Sequence, residues 1–160
     1  MLRKLGPWLM FVAALFVMSL GIALVTRGNL GTTPISSLPL VSSYASSLTF
    51  GETTFLINLL FVAAQWVLLR RSINKVLLLA QIPITLAFSY FIDTSMKFTE
   101  FLSSDVYWKC LAVSMLGNMV LGLGVALEVF SGAAALPREG LVLAVSTVLH
   151  KPFSSVKIAN

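Results

Sequence analysis

The residues able to do chemistry in this chain are few, and they sit inside long apolar runs. Asn58 and Gln65 are seven apart and share a helix face. Gln81, Thr85, Ser89 and Asp93 recur at intervals of four, as do Ser114, Asn118 and Gly122, with Glu128 returning to nearly the same face. Thr32 and Thr33 precede Pro34, and Glu139 follows a second proline, Pro137. In hydrocarbon an uncompensated charge costs about 2.5–3.5 kcal/mol on insertion scales, so intramembrane polar groups turn inward and become candidates for contact with a solute. The same rows also suit hydrogen bonding between helices, at about 0.6 kcal/mol per contact. For the two carboxylates the alternative to a substrate or proton role is a structural pair, Glu128 with Arg27 or Glu139 with Arg138. His150, beside Lys151 and Pro152, reads as an interfacial turn residue.

Enzyme signatures are absent from the sequence. It contains no H-E-x-x-H, no G-x-S-x-G, no phosphate-binding loop and no Cys/His cluster. Its single cysteine, Cys110, excludes an internal disulfide and a cysteine-based metal site. The expectation is a protein that is not an enzyme and carries no cofactor or metal.

The elements that position these groups follow from composition. Of 160 residues 58% are hydrophobic and 11% charged, against about 25% charged in a soluble domain. The apolar residues come in runs, so the reading is an integral membrane protein whose core is finished by lipid. The formal charge of +5 does not point to nucleic acid, because the basic residues lie at the ends of apolar runs and form no stripe interleaved with aromatics.

Crossing the hydrocarbon takes about 20 predominantly apolar residues. Four segments qualify: Pro7 to Val25, Thr53 to Leu69, Val76 to Ile92 and Cys110 to Val129. The first outruns the apolar core of a signal peptide and is expected to stay as a helix. With the N-terminus in the cytoplasm, Arg3, Lys4, Arg70, Arg71, Lys75, Arg138, Lys151 and Lys157 fall inside, and Arg27, Lys97 and Lys109 fall outside. That asymmetry favours a cytoplasmic N-terminus.

Shifted by 103 residues, the segment from Gly21 to Phe50 lies on the segment from Gly124 to Phe153 without a gap, with eight identities in thirty positions, Pro34 on Pro137 among them. A unit of about three spans that recurs must enter the membrane from the opposite side, and inverted repeats with interrupted helices mark secondary-transporter folds. The organisation expected is one membrane domain over residues 1–160, with a three-span repeat at 1–103 and an incomplete second repeat at 104–160. The fold class is all-α: a polytopic bundle of four full spans plus interrupted or re-entrant half-helices. The repeat further implies that the chain is shorter than its relatives by roughly two spans of ~20 residues and their links.

Between the first two spans, "GNLGTTPISSLPLVSSYASSLTFGETTF" is too polar to cross alone and too apolar for a solvated loop. Thr33 suits an N-cap and Pro34 the first helical position, with Thr32, Ser36, Ser43 and Ser47 near one face. Such a helix packs on neighbours or lines a cavity. The alternative, a helix lying on the bilayer surface, conflicts with its low charge.

The runs "RGNLGTTPISSLPL", "FLINLLFV", "LAQIPITLAFSYFID" and "GLGVALEV" with "LPREGLV" resemble the YczE/YyaS/YitT family of bacterial integral membrane proteins over essentially the whole chain. The resemblance implies a six-span protein of the bacterial cytoplasmic membrane and brings no established reaction. This sequence departs from it by ending inside the second half.

Two functions of different class remain. One is a small secondary transporter or solute-binding membrane protein, taking a polar or anionic solute near the helix N-termini at Thr33-Pro34 and Leu136-Pro137. Thr32, Thr33, Asn58, Gln81, Asn118, Glu128 and Glu139 are its candidate contacts. The other is an accessory protein whose Ser114, Asn118 and Gly122 row docks onto a membrane protein partner.

Overall fold

Local chemistry sets where each helix starts and stops. In the computed structural model, which describes residues 2–68, 75–104 and 106–132, α1 runs Leu2–Arg27 and ends where Asn29 enters the left-handed region at φ 51°. Asparagine tolerates that conformation, and the Gly28 amide still donates to the Leu24 carbonyl at 3.0 Å. Helix α2, Pro34–Ala45, has Thr33 as N-cap and Pro34 in its first turn, as the sequence indicated. The Ser36 amide donates to Thr33 Oγ1 at 3.3 Å.

Helix α3 spans Phe50–Leu68, three residues earlier than the apolar run suggested. The reason is a reciprocal cap: the Thr49 amide donates to Glu52 Oε2 at 2.8 Å, and the Glu52 amide donates to Thr49 Oγ1 at 3.1 Å. Asp93 reinforces it by accepting from Thr49 Oγ1 at 2.7 Å and from the Gly51 amide at 2.8 Å. Helix α4 runs Lys75–Phe98 and so continues past the expected end at Ile92. A single 3-10 turn, Glu100–Leu102, follows, and α5 runs Tyr107–Ser131 to a left-handed cap at Gly132.

All five helices and the 3-10 turn make an all-α fold among the described residues. Three segments are long and apolar enough to cross a membrane: Gly6–Arg27, Phe50–Val67 and Tyr107–Ser131. Helix α4, 24 residues long, contains the segment 76–92 expected to be the remaining span.

The chain divides into two compact units. The first comprises Met1–Thr54 and Ala87–Ala134, and its centre is the pairing of α1 with α5. A Cβ on Gly21 would meet the Leu121 backbone nitrogen at 2.5 Å, one on Gly117 the Val25 nitrogen at 2.6 Å, and one on Gly124 the Met18 nitrogen at 2.7 Å. As residue numbers rise on one helix they fall on the other, so the two run antiparallel. The buried positions of α5 are Cys110, Ser114, Gly117, Gly124, Glu128 and Ser131. With Leu121 they alternate steps of four and three, the spacing of a left-handed seam. Glycines drawn from both helices let the backbones meet, which is how helices associate where lipid removes any hydrophobic drive between them.

Within the same unit the last three turns of α4 lie against α1. Ser19 Oγ and Ser95 Oγ share a hydrogen bond of 3.2 Å, and the Phe16 and Phe91 rings meet edge to face at 5.7 Å. Arg27 donates to the Met96 carbonyl at 2.9 Å and to Ser103 Oγ at 3.4 Å. Thr53 Oγ1 donates to the Pro39 carbonyl at 2.9 Å, tying the first turn of α3 to α2.

The second unit comprises Phe55–Leu86 and Ala135–Asn160. Its described part pairs Gln65 of α3 with Gln81 of α4 through reciprocal amide bonds of 3.3 and 3.4 Å. Across the described residues polar side chains such as Ser19, Gln65, Thr85 and Ser95 are buried, while Leu9, Leu60, Met119 and Phe130 are exposed. These polar groups share the interior with buried Phe11, Leu15 and Met18, and large apolar residues face outward, an arrangement compatible with embedding in a membrane.

Candidate functional site

A cleft of about 440 Å³ opens in the first unit where the link between α1 and α2 faces α5. Val25, Leu30, Gly31, Thr32, Thr33 and Pro34 line one side, and Leu111, Ser114, Met115 and Asn118 the other. The link is shaped by Asn29 and by Gly31 at φ 130°, a conformation glycine alone adopts without strain. Ser114 is brought to the cleft because Gly28 has no side chain: a Cβ there would fall on the Ser114 hydroxyl.

Two hydroxyl oxygens of this cleft, Thr32 Oγ1 and Ser114 Oγ, are buried without a hydrogen-bond partner. Ser114 is 9% exposed. An unsatisfied buried polar group costs about 1–3 kcal/mol, and in native proteins such groups call for a reason. Asn118, exposed, donates from Nδ2 to the Ser114 carbonyl of its own helix at 2.9 Å, so its amide is only partly used. Thr33 is fully engaged: its hydroxyl donates to Ser36 Oγ at 2.8 Å and accepts from the Ser36 amide. The arrangement offers donors and acceptors beside an apolar wall at the positive end of a helix.

The other sequence candidates fall elsewhere. Asn58 and Gln81 are buried in the second unit, where Gln81 is joined to Gln65. That is the helix-to-helix role weighed for the amide rows. Glu128 is buried on the seam face of α5, about 15 Å along the helix from Asn118 at 1.5 Å per residue. The pair expected between Glu128 and Arg27 is not made, because Arg27 is spent on Met96 and Ser103 at the far end of α1. The row expected to hold Ser114, Asn118 and Gly122 on one face also breaks. Ser114 is buried in the seam, whereas Asn118 and Gly122 are exposed. Of the hydroxyl face expected on α2, Ser36 is buried, Ser43 half-buried, and Ser47 lies beyond the helix, exposed. Glu139, Leu136-Pro137, Arg138, His150, Lys151 and Lys157 lie outside the described residues.

Sequence reasoning did not single out Val25, Leu30, Leu111 and Met115, the apolar wall. A search for polar residues cannot find them, and their signal is only their nearness to Thr32 and Ser114 once α1 and α5 are paired.

Fold and cleft together define a class: an all-α protein, among its described residues, with three membrane-length apolar helices and a hydrogen-bonding cleft beside the first of them. Within that class the chain belongs to a family of unknown function, DUF6198, whose model matches residues 5–160. No curated protein and no solved structure matches it.

Proposed function

We propose that this is a multi-pass protein of the bacterial cytoplasmic membrane that binds a small polar solute in the cleft between the α1–α2 link and α5, as a secondary transporter or solute-binding component. The observation that carries the reading is the pair of buried, unpartnered hydroxyls, Thr32 Oγ1 and Ser114 Oγ, at the N-terminal end of α2. In this reading α4 is a fourth span, the N-terminus is cytoplasmic, and α1 and α5 are equivalent helices of an inverted repeat. Their antiparallel seam supports that equivalence, since a shift of 103 residues exchanges the Gly21–Leu121 contact with the Met18–Gly124 contact. A shift smaller by one heptad serves the four glycines as well, placing Gly21 on Gly117 and Gly28 on Gly124. The resemblance to the YczE/YyaS/YitT proteins belongs to the same proposal.

The test is a thermal-shift screen of the purified protein against small polar solutes, followed by Thr32→Val and Ser114→Ala. A ligand at one hundred times its dissociation constant raises stability by about 2.7 kcal/mol. A shift that both variants abolish sustains the site, and a shift that neither alters removes it.

The accessory reading has its own observation. Asn118 and Gly122 are exposed on α5 among Met115, Met119 and Leu123, a surface that a partner helix would cover. Co-purification of a stoichiometric membrane partner that is lost in Gly122→Leu, with no solute effect, would favour it.

A further inference from the structure

We infer that the cleft selects an uncharged solute, one with a hydrogen-bonding head and a short apolar body, over an anion or a cation of the same shape. The inference rests on the cleft being a binding site and concerns what that site discriminates.

Among the described residues lining it there is no Asp, Glu, Lys, Arg or His. Neither nearby cation lines the cleft: Arg27 turns its two terminal nitrogens to Ser103 and the Met96 carbonyl, leaving only its Nε without a partner, and Lys109 is exposed on the first turn of α5. The acidic Glu128 lies about three helical turns away on the seam face. What remains to offset an anion is the end of α2, about half an elementary charge. Part of that is already taken, since the Ser36 and Ser37 amides donate to Thr33 and Pro34 has no N–H to offer. A full charge entering this cleft would shed water without finding a counter-charge.

A neutral head meets no such deficit. The hydroxyls of Thr32 and Ser114 each donate and accept, and both oxygens lack partners in the structure. They match a carboxamide, an alcohol or an undissociated acid. Ser114 is more than nine-tenths buried, so its hydroxyl has no easy recourse to solvent. Val25, Leu111 and Met115 supply the wall for the apolar body. At about 30 Å³ per water, the cleft has the capacity of roughly fifteen water molecules, enough for a ring bearing one polar substituent.

The experiment uses three probes of one shape on the purified full chain: benzamide, benzoate and benzylammonium. Binding is followed by saturation-transfer NMR and thermal shift, for the native protein and for Thr32→Val and Ser114→Ala. At pH 7.5 benzamide is expected to bind at least tenfold more tightly than either ion. Benzoate affinity is expected to rise about tenfold for each unit of pH lowered toward its own pKa, while benzamide stays constant. Each variant should weaken benzamide about tenfold. Benzoate or benzylammonium binding as tightly as benzamide at pH 7.5, with loss in the two variants, would overturn charge selection and leave the cleft as a site. Absence of binding by all three probes, or binding indifferent to both variants, would overturn the selection and the site together.

Discussion

The same two helices, α1 and α5, stay in close contact along their seam but leave different surroundings at its two levels. Around Gly21 and Leu121 backbone meets backbone. Around Gly28, just past the end of α1, a Cβ would still fall on the Ser114 hydroxyl, but there the chain turns off toward α2 and leaves a cleft with two hydroxyls lacking partners. Elsewhere the fold shows that it can satisfy buried polar side chains: Gln65 and Gln81 bond reciprocally, and Ser19 meets Ser95. The contrast teaches that the fold satisfies many of its buried polar groups and leaves a few open: Thr26 Oγ1 and Ser89 Oγ lack partners too, and what sets Thr32 and Ser114 apart is that both line one cleft.

The sharpest way to break the contrast is to wedge the level where backbone meets backbone. Gly21→Val would place a Cβ within 2.5 Å of the Leu121 backbone nitrogen, and no side-chain rotation relieves a backbone clash. A loss of about 3 kcal/mol is expected, read as collapse of the monodisperse peak in detergent. Next is the satisfied amide pair. Gln81→Leu removes the two reciprocal bonds between Gln81 and the buried Gln65 amide and should cost about 1–3 kcal/mol, and Gln65→Leu with Gln81→Leu should cost less than the two single variants summed. A double-variant loss equal to the sum of the two single losses would show that the pair contributes nothing.

A smaller effect is expected at the cap. Thr33→Ala removes the acceptor for the Ser36 amide and should cost about 1 kcal/mol, with Thr33→Ser recovering it in the same denaturation series. The smallest loss is expected at the cleft itself. Ser114→Ala deletes a buried hydroxyl that bonds to nothing, so stability should not fall and should rise by about 1 kcal/mol while solute binding weakens. A marked fall in stability would mean that Ser114 is a structural residue after all.

Much of the architecture was legible in the sequence, because apolar length and punctuation are local signals. The cap at Thr33-Pro34 could be read directly. The start of α3 was readable too, in the Thr49 to Glu52 capping box, but an apolar count passes over it. What escaped was angular. Steps of four alone drift about 40° per step around a helix, so a row from Ser114 through Asn118 to Gly122 walks off the seam. Alternating steps of four and three hold Ser114, Gly117, Leu121, Gly124 and Glu128 together. Which glycines touch a backbone, and where the cleft lies, depends on the pairing of helices far apart in sequence. No periodicity within one helix reveals it.

The pairing of α1 with α5 also sets a timetable. Residues that meet, such as Gly28 and Cys110, are separated by ~80 residues, and at 5–20 residues per second that is on the order of 4–16 s of synthesis. In a bilayer, α1 would wait through that interval with its glycine groove facing lipid tails, and its apolar character, the highest of the three membrane-length helices, suits a helix that waits alone. The cleft therefore comes into being only with the arrival of α5, when ribosomes have already delivered everything that precedes it.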